Sequence, residues 1–311
     1  MPNGKNLNGN TSSTQSAIIV PLPESKTIYY IFTMDSEAEK GGFSYSIVDM
    51  AKENGLGDII LKNKLINTRF TEKLVAVKKP DTNNFWIIAH AYDSNAFSAY
   101  LLTKNGLTVQ PVISNVGLRH EKSFFNTIGY MKVSPDKRKL ALAINGDKII
   151  QLFNFDPTKG LITNPISIKL NEQSNPYGLE FSPNSNLLYI STVLSGFIFQ
   201  INITTGSEDA IQKSLQLVGQ SKSKKSLGAL QLGPDGRIYI AEYDSKFLST
   251  IDKPDMIGPG CSYRAEGVSL GGNICKLGLP TFVQDFTGNT QFNNRYASGR
   301  KRRFFKNKHK I

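Results

Sequence analysis

The chain has 311 residues, of which 39% are hydrophobic and 20% are charged, with 26 glycines and 14 prolines. This length and composition exclude general disorder and suit one large all-β domain or two ordinary ones. The longest apolar runs, such as residues 28–32, are far shorter than the roughly 20 residues of a membrane-spanning helix. Residues 1–16 are polar and lack the basic start and apolar centre of a secretory signal.

One pattern recurs along the chain: a short apolar strand, a turn built on proline, a second apolar strand and a third, alternating strand. The turn prolines are separated by 57, 55, 48 and 51 residues, which is the size of a propeller blade. We therefore expect an all-β propeller domain over 1–286. Its prolines are Pro23, Pro80, Pro135, Pro183 and Pro234, and its five repeats lie near 13–60, 70–115, 126–172, 176–222 and 226–286.

The physical basis of the repeat is a tight chain reversal between two strands. Proline presets φ at the first turn position, and Asp, Asn or Gly suits the next. Because both faces of each small sheet are apolar, one sheet cannot bury them alone, and the sheets must stack around an axis. Helix candidates are short, for example at 47–53.

Side chains that could carry chemistry are few. His90 and His120 are the histidines of the body, and no nucleophile motif is present. His90 follows an expected strand, and we interpret it as a structural histidine in a hydrogen-bonded loop. Asp136, Asn184 and Asp235 occupy equivalent turn positions, which turn chemistry explains without a metal. No dense acidic calcium loop is present, although turn oxygens could hold calcium. We assign no catalytic, cofactor-binding or metal residue.

The two cysteines, Cys261 and Cys275, lie 14 residues apart. They form either a single disulfide or two unpaired thiols. A disulfide here would close a short loop and contribute about 3 kcal/mol in the chain-entropy model.

The C-terminal tail concentrates the positive charge. Eight basic and no acidic residues lie in 295–311, so the rest of the chain carries +4 of the net +12. We expect 287–311 to be a disordered tail and the body not to be a general nucleic-acid surface. Arg300, Lys301, Arg302 and Arg303 are the candidates for contact with an anionic surface.

Several repeat segments resemble a known family. They read GYMKVSPD (129–136), YGLEFSPN (177–184), GALQLGPDGRIYIA (228–241) and LGLPTFVQDF (277–286). These are similar to the propeller region of Bacteroidetes surface proteins related to gliding motility, which usually end in a type IX secretion sorting domain. The resemblance covers about residues 2–286. It implies six or seven blades in intact relatives, so this chain looks like one without the first blade and the sorting domain.

The resemblance implies a noncatalytic binding or scaffold module of a secreted or cell-surface protein, linked to gliding motility or adhesion. Its partner would be a protein or a polysaccharide, without a cofactor. An open ring would expose apolar blade faces and favour self-association. The alternative is a metal-dependent lactonase-like or hydrolase-like propeller enzyme, with carboxylates around the channel.

Overall fold

The computed structural model of the chain describes residues 1–39, 41–222 and 225–283. These residues form five consecutive antiparallel sheets, which confirms the expected all-β propeller. Within each sheet the strands pair in chain order, and the first strands of successive sheets contact one another. The first strand of each sheet is therefore the inner strand of the ring.

The first two sheets cover 17–67 and 70–115. The first sheet contains β1 (Ala17–Pro21), β2 (Ile28–Met34), β3 (Phe43–Asp49) and β4 (Asp58–Asn67). The second contains β5 (Phe70–Lys78), β6 (Phe85–Ala91), β7 (Ala96–Thr103), β8 (Gly106–Leu107) and β9 (Val112–Asn115), and both β8 and β9 pair with β7.

The remaining three sheets have four strands each. The third contains β10 (Met131–Val133), β11 (Lys139–Ile144), β12 (Ile149–Asp156) and β13 (Leu161–Lys169). The fourth contains β14 (Asn175–Phe181), β15 (Leu187–Val193), β16 (Phe197–Asn202) and β17 (Gln216–Gln220). The fifth contains β18 (Leu227–Leu232), β19 (Ile238–Glu242), β20 (Phe247–Ile251) and β21 (Tyr263–Ser269).

Helices are short and lie in connections. The helix α1 is Glu208–Lys213, and three 3-10 turns lie at Glu53–Gly55, Phe124–Asn126 and Gly258–Cys261. The expected helix near 47–53 is wrong, because its first residues belong to β3 and pair with β2. Strand pairing across the first sheet overrides the weak local signal there.

A hydrophobic cluster fills the space between each pair of successive sheets. Adjacent residues of a strand point to opposite faces, so each central strand supplies both of its neighbouring clusters. Each large buried aliphatic side chain contributes about 1.5–3 kcal/mol. Representative pairs, in sheet order, are Phe32 with Ile87, Ile88 with Leu142, Leu152 with Ile190, and Tyr189 with Ile240.

Two glycines allow the inner strands to approach closely. A Cβ on Gly178 would collide with the carbonyl oxygen of Gly228, and a Cβ on Gly228 would collide with the carbonyl oxygen of Leu277. The inner strands β14 and β18 and the segment 275–283 therefore pack backbone against backbone near the axis.

The outer face of the first sheet is covered by the N-terminal segment. Asn3 Nδ2 donates to Asp58 Oδ2 at 2.9 Å, and the Asn8 amide N–H donates to Asn63 Oδ1 at 2.8 Å. Beneath this segment Ser44 is fully buried, whereas Ile19 on the same face remains 57% exposed. The N-terminal segment thus makes polar contacts with this sheet, while some of its apolar side chains stay exposed.

The segment 275–283 covers the fifth sheet and reaches the first. The Ala229 N–H donates to the Leu277 carbonyl at 2.7 Å, and the Cys275 N–H donates to the Ser245 carbonyl at 2.8 Å. Further on, the Thr281 hydroxyl donates to the Ala17 carbonyl. Among the described residues no strand of the first sheet pairs with one of the fifth, so the propeller is open at the level of strand pairing.

Candidate active site

A pocket of about 350 Å³ lies at the end of the ring where the inner strands begin. Its walls are the N-terminal stretch 11–16, the stretch 276–279, Thr281, and the residues Tyr130, Tyr177 and Tyr243. The stretch 11–16 leads directly into β1, and Tyr130 immediately precedes β10. The pocket is therefore assembled from parts of the chain that are far apart in sequence.

Two tyrosines form the deep side of the pocket. Tyr130 and Tyr177 pack edge to face with their ring centroids 5.7 Å apart. The Tyr130 N–H donates to the Tyr177 carbonyl at 2.8 Å, which links β14 to the start of β10. Both side chains are almost completely buried from bulk solvent.

Burial keeps these phenols protonated. It raises the pKa of Tyr177 to about 12, with a smaller contribution from the Glu72 charge and an opposing one from a hydrogen bond to Thr14. Burial also raises the pKa of Tyr130, and the neighbouring Tyr177 adds to this, while the Leu279 backbone opposes it. Both hydroxyl groups are therefore neutral near pH 7 and can donate hydrogen bonds.

Behind the tyrosines lies a buried carboxylate, Glu72 on β5. Its Oε2 accepts hydrogen bonds from the Thr14 N–H at 2.7 Å and from Thr14 Oγ1 at 2.5 Å. Its Oε1 accepts from the Glu37 N–H at 3.1 Å. The Gly129 N–H donates to Thr14 Oγ1 at 3.3 Å. These contacts fix the N-terminal wall of the pocket to the second and third sheets.

The next residue of the wall, Gln15, bridges two inner strands. Its Oε1 accepts from the Met131 N–H at 2.8 Å and from the Leu74 N–H at 3.3 Å, and its Nε2 donates to the Met131 carbonyl at 3.2 Å. A buried amide that satisfies both strands in this way holds the wall in one register.

A positive charge lies at the mouth of the pocket. Lys276 Nζ is 5.0 Å from the ring centroid of Tyr243. Asp244 Oδ1 is 4.0 Å from the same ammonium, and both charged side chains are at least half exposed. The ammonium is therefore positioned, yet available to an incoming anion.

Beside Glu72 lies a buried basic group. Lys73 Nζ donates to the carbonyls of Asn126, Thr127 and Ile128 at 3.3, 2.9 and 3.1 Å. Burial lowers the pKa of Lys73 to about 7, and the Glu72 charge opposes this. The lysine holds the loop that leads to Tyr130.

His90 and His120 are stacked next to this lysine, with centroids 3.8 Å apart. Both are buried, and burial is the largest cause of a lowered pKa for each. The pKa of His90 falls to about 3, with Lys73 contributing. Neither histidine lines the pocket. Within the part of the chain that the structure describes, His90 Nδ1 and both ring nitrogens of His120 are buried without a hydrogen-bond partner.

At the opposite end of the inner strands a second polar cluster lies on the axis. Lys132 Nζ on β10 is 2.9 Å from Glu180 Oε2 on β14 and donates to Gln231 Oε1 on β18 at 3.0 Å. Glu180 also accepts from the Leu232 N–H at 3.0 Å. Both ions are buried and are paired with each other.

The side-chain oxygens of the predicted turn residues accept hydrogen bonds from nearby backbone N–H groups. Asp136 Oδ1 accepts from the Arg138 N–H, Asn184 Oδ1 from the Asn186 N–H, and Asp235 Oδ1 from the Arg237 N–H. Each is a bond to the backbone N–H two residues on, which is typical of these residue types in turns. Within 1–39, 41–222 and 225–283 no group of three or more His, Cys, Asp or Glu side chains could hold a metal ion.

The two cysteines do not form a disulfide and both thiols are buried. Cys261 packs between the fourth and fifth sheets, whereas Cys275 lies in the segment that covers the fifth sheet. Burial raises the pKa of both thiols.

The candidates for contact with an anionic surface lie outside the described residues; they are Arg300, Lys301, Arg302 and Arg303. Among the helices that are described, none combines the length and apolarity of a transmembrane span.

The chain matches, over residues 20–245, the profile of the family described as "Lactonase, 7-bladed beta-propeller". The chain belongs to this family. The match covers more than half of the chain, and the described residues form five sheets where the family's description names seven blades. None of the curated proteins compared with the chain matches it.

Solved structures agree on the lactonase-family fold. One is a protein from Bacteroides uniformis provisionally named 6-phosphogluconolactonase, with 18% identity, TM-score 0.54, and 82% of this chain and 71% of that chain covered. A second, with the same provisional name and from Bacteroides fragilis, has 15% identity, TM-score 0.55 and the same coverage. At these identities the likeness concerns the fold.

These findings correct three expectations. The resemblance to gliding-motility and type IX secretion surface proteins is wrong, because the family matched is a lactonase family. The expected noncatalytic scaffold and the expected absence of enzymatic activity are overturned by the same match, which favours the alternative of a lactonase-like propeller. The strand–turn–strand repeats that carried the resemblance are common to propellers in general, so they predicted the fold and not the family.

Proposed function

We propose that this chain is a lactone hydrolase whose active site is the pocket at the end of the ring where the inner strands begin. One observation carries the proposal: in a chain of the lactonase family, two protonated phenols and one ammonium converge on a single polar pocket. The match to the family supplies the reaction class, and the pocket supplies groups that suit it.

Lactone hydrolysis needs a donor for the carbonyl oxygen, on which negative charge develops during attack by water. Tyr130 is suited to this role, since its hydroxyl is kept protonated by burial and lines the pocket. The hydroxyl-rich wall of Thr11, Ser12 and Ser13 offers hydrogen bonds to the hydroxyl groups of a sugar lactone. This chemistry requires no cofactor.

The substrate we propose is the lactone of a sugar acid that bears an anionic group. Lys276 at the mouth would attract a phosphate or a carboxylate. The provisional names of the two Bacteroides structures, 6-phosphogluconolactonase, agree with a phosphorylated sugar lactone as the first candidate.

The test is hydrolysis of 6-phosphoglucono-δ-lactone and of neutral glucono-δ-lactone, followed by proton release and corrected for the spontaneous rate. We expect Tyr130→Phe to lower kcat about 10²–10³-fold on both substrates, since an oxyanion donor is lost. We expect Lys276→Ala to raise KM about tenfold on the phosphorylated lactone alone, which corresponds to about 1.4 kcal/mol.

Matched controls are Tyr239→Phe and Lys213→Ala. Tyr239 bonds Asp235 beside the turn of the fifth sheet, and Lys213 lies on α1, so both are remote from the pocket. Both variants should behave as the wild type. Wild-type protein that does not exceed the spontaneous rate on either lactone would refute the proposal.

A further inference from the structure

We propose that Ser13 is a specificity-determining residue of the pocket and that its side chain binds a hydroxyl group on the lactone ring. The inference rests on the proposed lactone hydrolysis and deepens it, because it names a group by which the pocket would select its substrate. Ser13 lies in the N-terminal wall of the pocket and is only 8% exposed. Its Oγ is buried, and no group among the described residues forms a hydrogen bond with it.

Other hydroxyl groups that line the pocket are already committed to the protein. Thr14 Oγ1 donates to Glu72 Oε2 at 2.5 Å, and the Thr281 hydroxyl donates to the Ala17 carbonyl. The Ser13 hydroxyl keeps one donor proton and two lone pairs unused. It has lost contact with water without gaining a bond in exchange, so a ligand that bonds to it recovers this loss.

The backbone on both sides of this hydroxyl is held in place. The Ser13 N–H donates to the Asn10 carbonyl at 3.0 Å, and the Thr14 N–H donates to Glu72 Oε2 at 2.7 Å. Since no bond holds the Ser13 side chain, rotation about its Cα–Cβ bond can turn the Oγ to a ligand without breaking a protein hydrogen bond. A wall that is already ordered loses little freedom when the ligand binds.

The surroundings of Ser13 favour a neutral ligand group over an anion. The stretch 11–16 reads TSSTQS and contains no charged side chain, and the next residue, Thr14, bonds the Glu72 carboxylate. A phosphate placed against Ser13 would lack a cation in this wall and would meet the negative charge of Glu72. A ligand hydroxyl can donate and accept, as Ser13 can. We therefore expect the anionic group of the substrate at Lys276 and a ring hydroxyl at Ser13.

Selection follows from what a wrong substrate would leave unpaired. A lactone without the matching hydroxyl would enter the pocket but leave Ser13 Oγ without a partner, so it should bind more weakly. When the Ser13 hydroxyl is removed, both lactones meet a methyl group at this position. The preference between them should then disappear.

The test is calorimetric binding of glucono-δ-lactam 6-phosphate, which keeps the ring hydroxyl groups and resists hydrolysis, and of its 2-deoxy, 3-deoxy and 4-deoxy derivatives. We expect the wild type to bind one deoxy lactam about 3–10-fold more weakly than the parent, as the loss of one neutral hydrogen bond predicts. Ser13→Ala should bind the parent lactam about 3–10-fold more weakly than the wild type does. It should no longer distinguish the parent from that deoxy lactam.

Ser174→Ala is the matched control. Ser174 Oγ is also buried without a partner among the described residues, but Ser174 does not line the pocket. This variant should keep the wild-type Kd values. Because each variant removes a buried hydroxyl that makes no bond, neither should lower the unfolding midpoint. A midpoint of Ser13→Ala well below that of the wild type would show that the hydroxyl is bonded in the free protein, and would overturn the role of Ser13.

Binding and hydrolysis separate this role from the proposed function. Equal Kd values of the wild type and a folded Ser13→Ala variant for every lactam would overturn the role of Ser13, even if the wild type hydrolyses lactones. A wild type that binds none of the lactams would do the same. If the wild type hydrolyses no lactone but loses its preference among the lactams in Ser13→Ala, the lactonase proposal fails and Ser13 stands as a ligand-binding residue.

Discussion

Two buried glutamates lie on inner strands near opposite ends of the ring, and they are held in different ways. Glu180 pairs with the Lys132 ammonium at 2.9 Å, whereas Glu72 is held by a hydroxyl and two backbone N–H groups at the pocket. A carboxylate paired with a buried cation is already neutralised and has a structural role. The groups that donate to Glu72 are instead neutral, and two of them belong to Thr14 in the wall of the pocket.

The largest expected change in the free energy of unfolding comes from breaking the ion pair between Lys132 and Glu180. Lys132→Met should lower the free energy of unfolding by about 3–5 kcal/mol, because the Glu180 charge would stay buried without its partner. Chemical denaturation measures the loss. The double variant Lys132→Met, Glu180→Leu should recover most of it, since no charge is then left unpaired. A single variant as stable as the wild type would mean that Glu180 is not held by this pair.

A smaller change in the free energy of unfolding is expected when the pH is lowered. It arises near the pocket, where His90 and His120 lie buried beside Lys73. Folding lowers the pKa of His90 from 6.5 to about 3, so the stability from the neutral ring is complete above pH 6.5 and is lost as the pH falls toward 3. Between pH 7 and pH 5 we expect a loss of about 2 kcal/mol for His90. Lys73 changes stability mainly between pH 7 and 10.5, outside this window.

Urea denaturation at pH 7 and pH 5 measures this loss. His90→Phe should reduce the pH dependence in that interval, although it also changes the packing against His120 and Phe97. Equal pH dependence in the variant and the wild type would show that another group is responsible.

The smallest change in the free energy of unfolding is expected from breaking an ion pair that is exposed to water. Lys213 Nζ lies 2.6 Å from Asp209 Oδ2 on α1, and both side chains are 74% exposed. Lys213→Met should change the free energy of unfolding by less than about 0.5 kcal/mol, because water screens the pair. The same denaturation experiment compares it with Lys132→Met. Similar losses in the two variants would contradict the distinction between buried and exposed pairs.

The repeats could be predicted from the sequence because their determinants are local. Pro135 and Pro183 mark chain reversals within a few residues, and the flanking apolar runs need no distant partner to be recognised as strands. Even so, five similar turns do not distinguish a surface scaffold from a lactonase. The information that does so is not in the turns.

The pocket could not be predicted in the same way, because its contacts join distant parts of the chain. Thr14 and Glu72 are 58 residues apart, and Gln15 and Met131 are 116 apart. One signal was present: Glu72 and Lys73 are two charged residues inside the apolar strand FTEKLVAVK. A buried charge in an inner strand requires a partner, and this is where the search for a site could have begun.

The bond between the Thr281 hydroxyl and the Ala17 carbonyl joins residues 264 positions apart. Within each sheet, by contrast, strands pair with their neighbours in the chain. Because loop-closure entropy grows with loop length, the single sheets can form early, whereas this contact orders nearly the whole chain at once. We therefore expect the hydrogen bond between Thr281 and Ala17 to form last on the folding pathway and to break first when the protein unfolds.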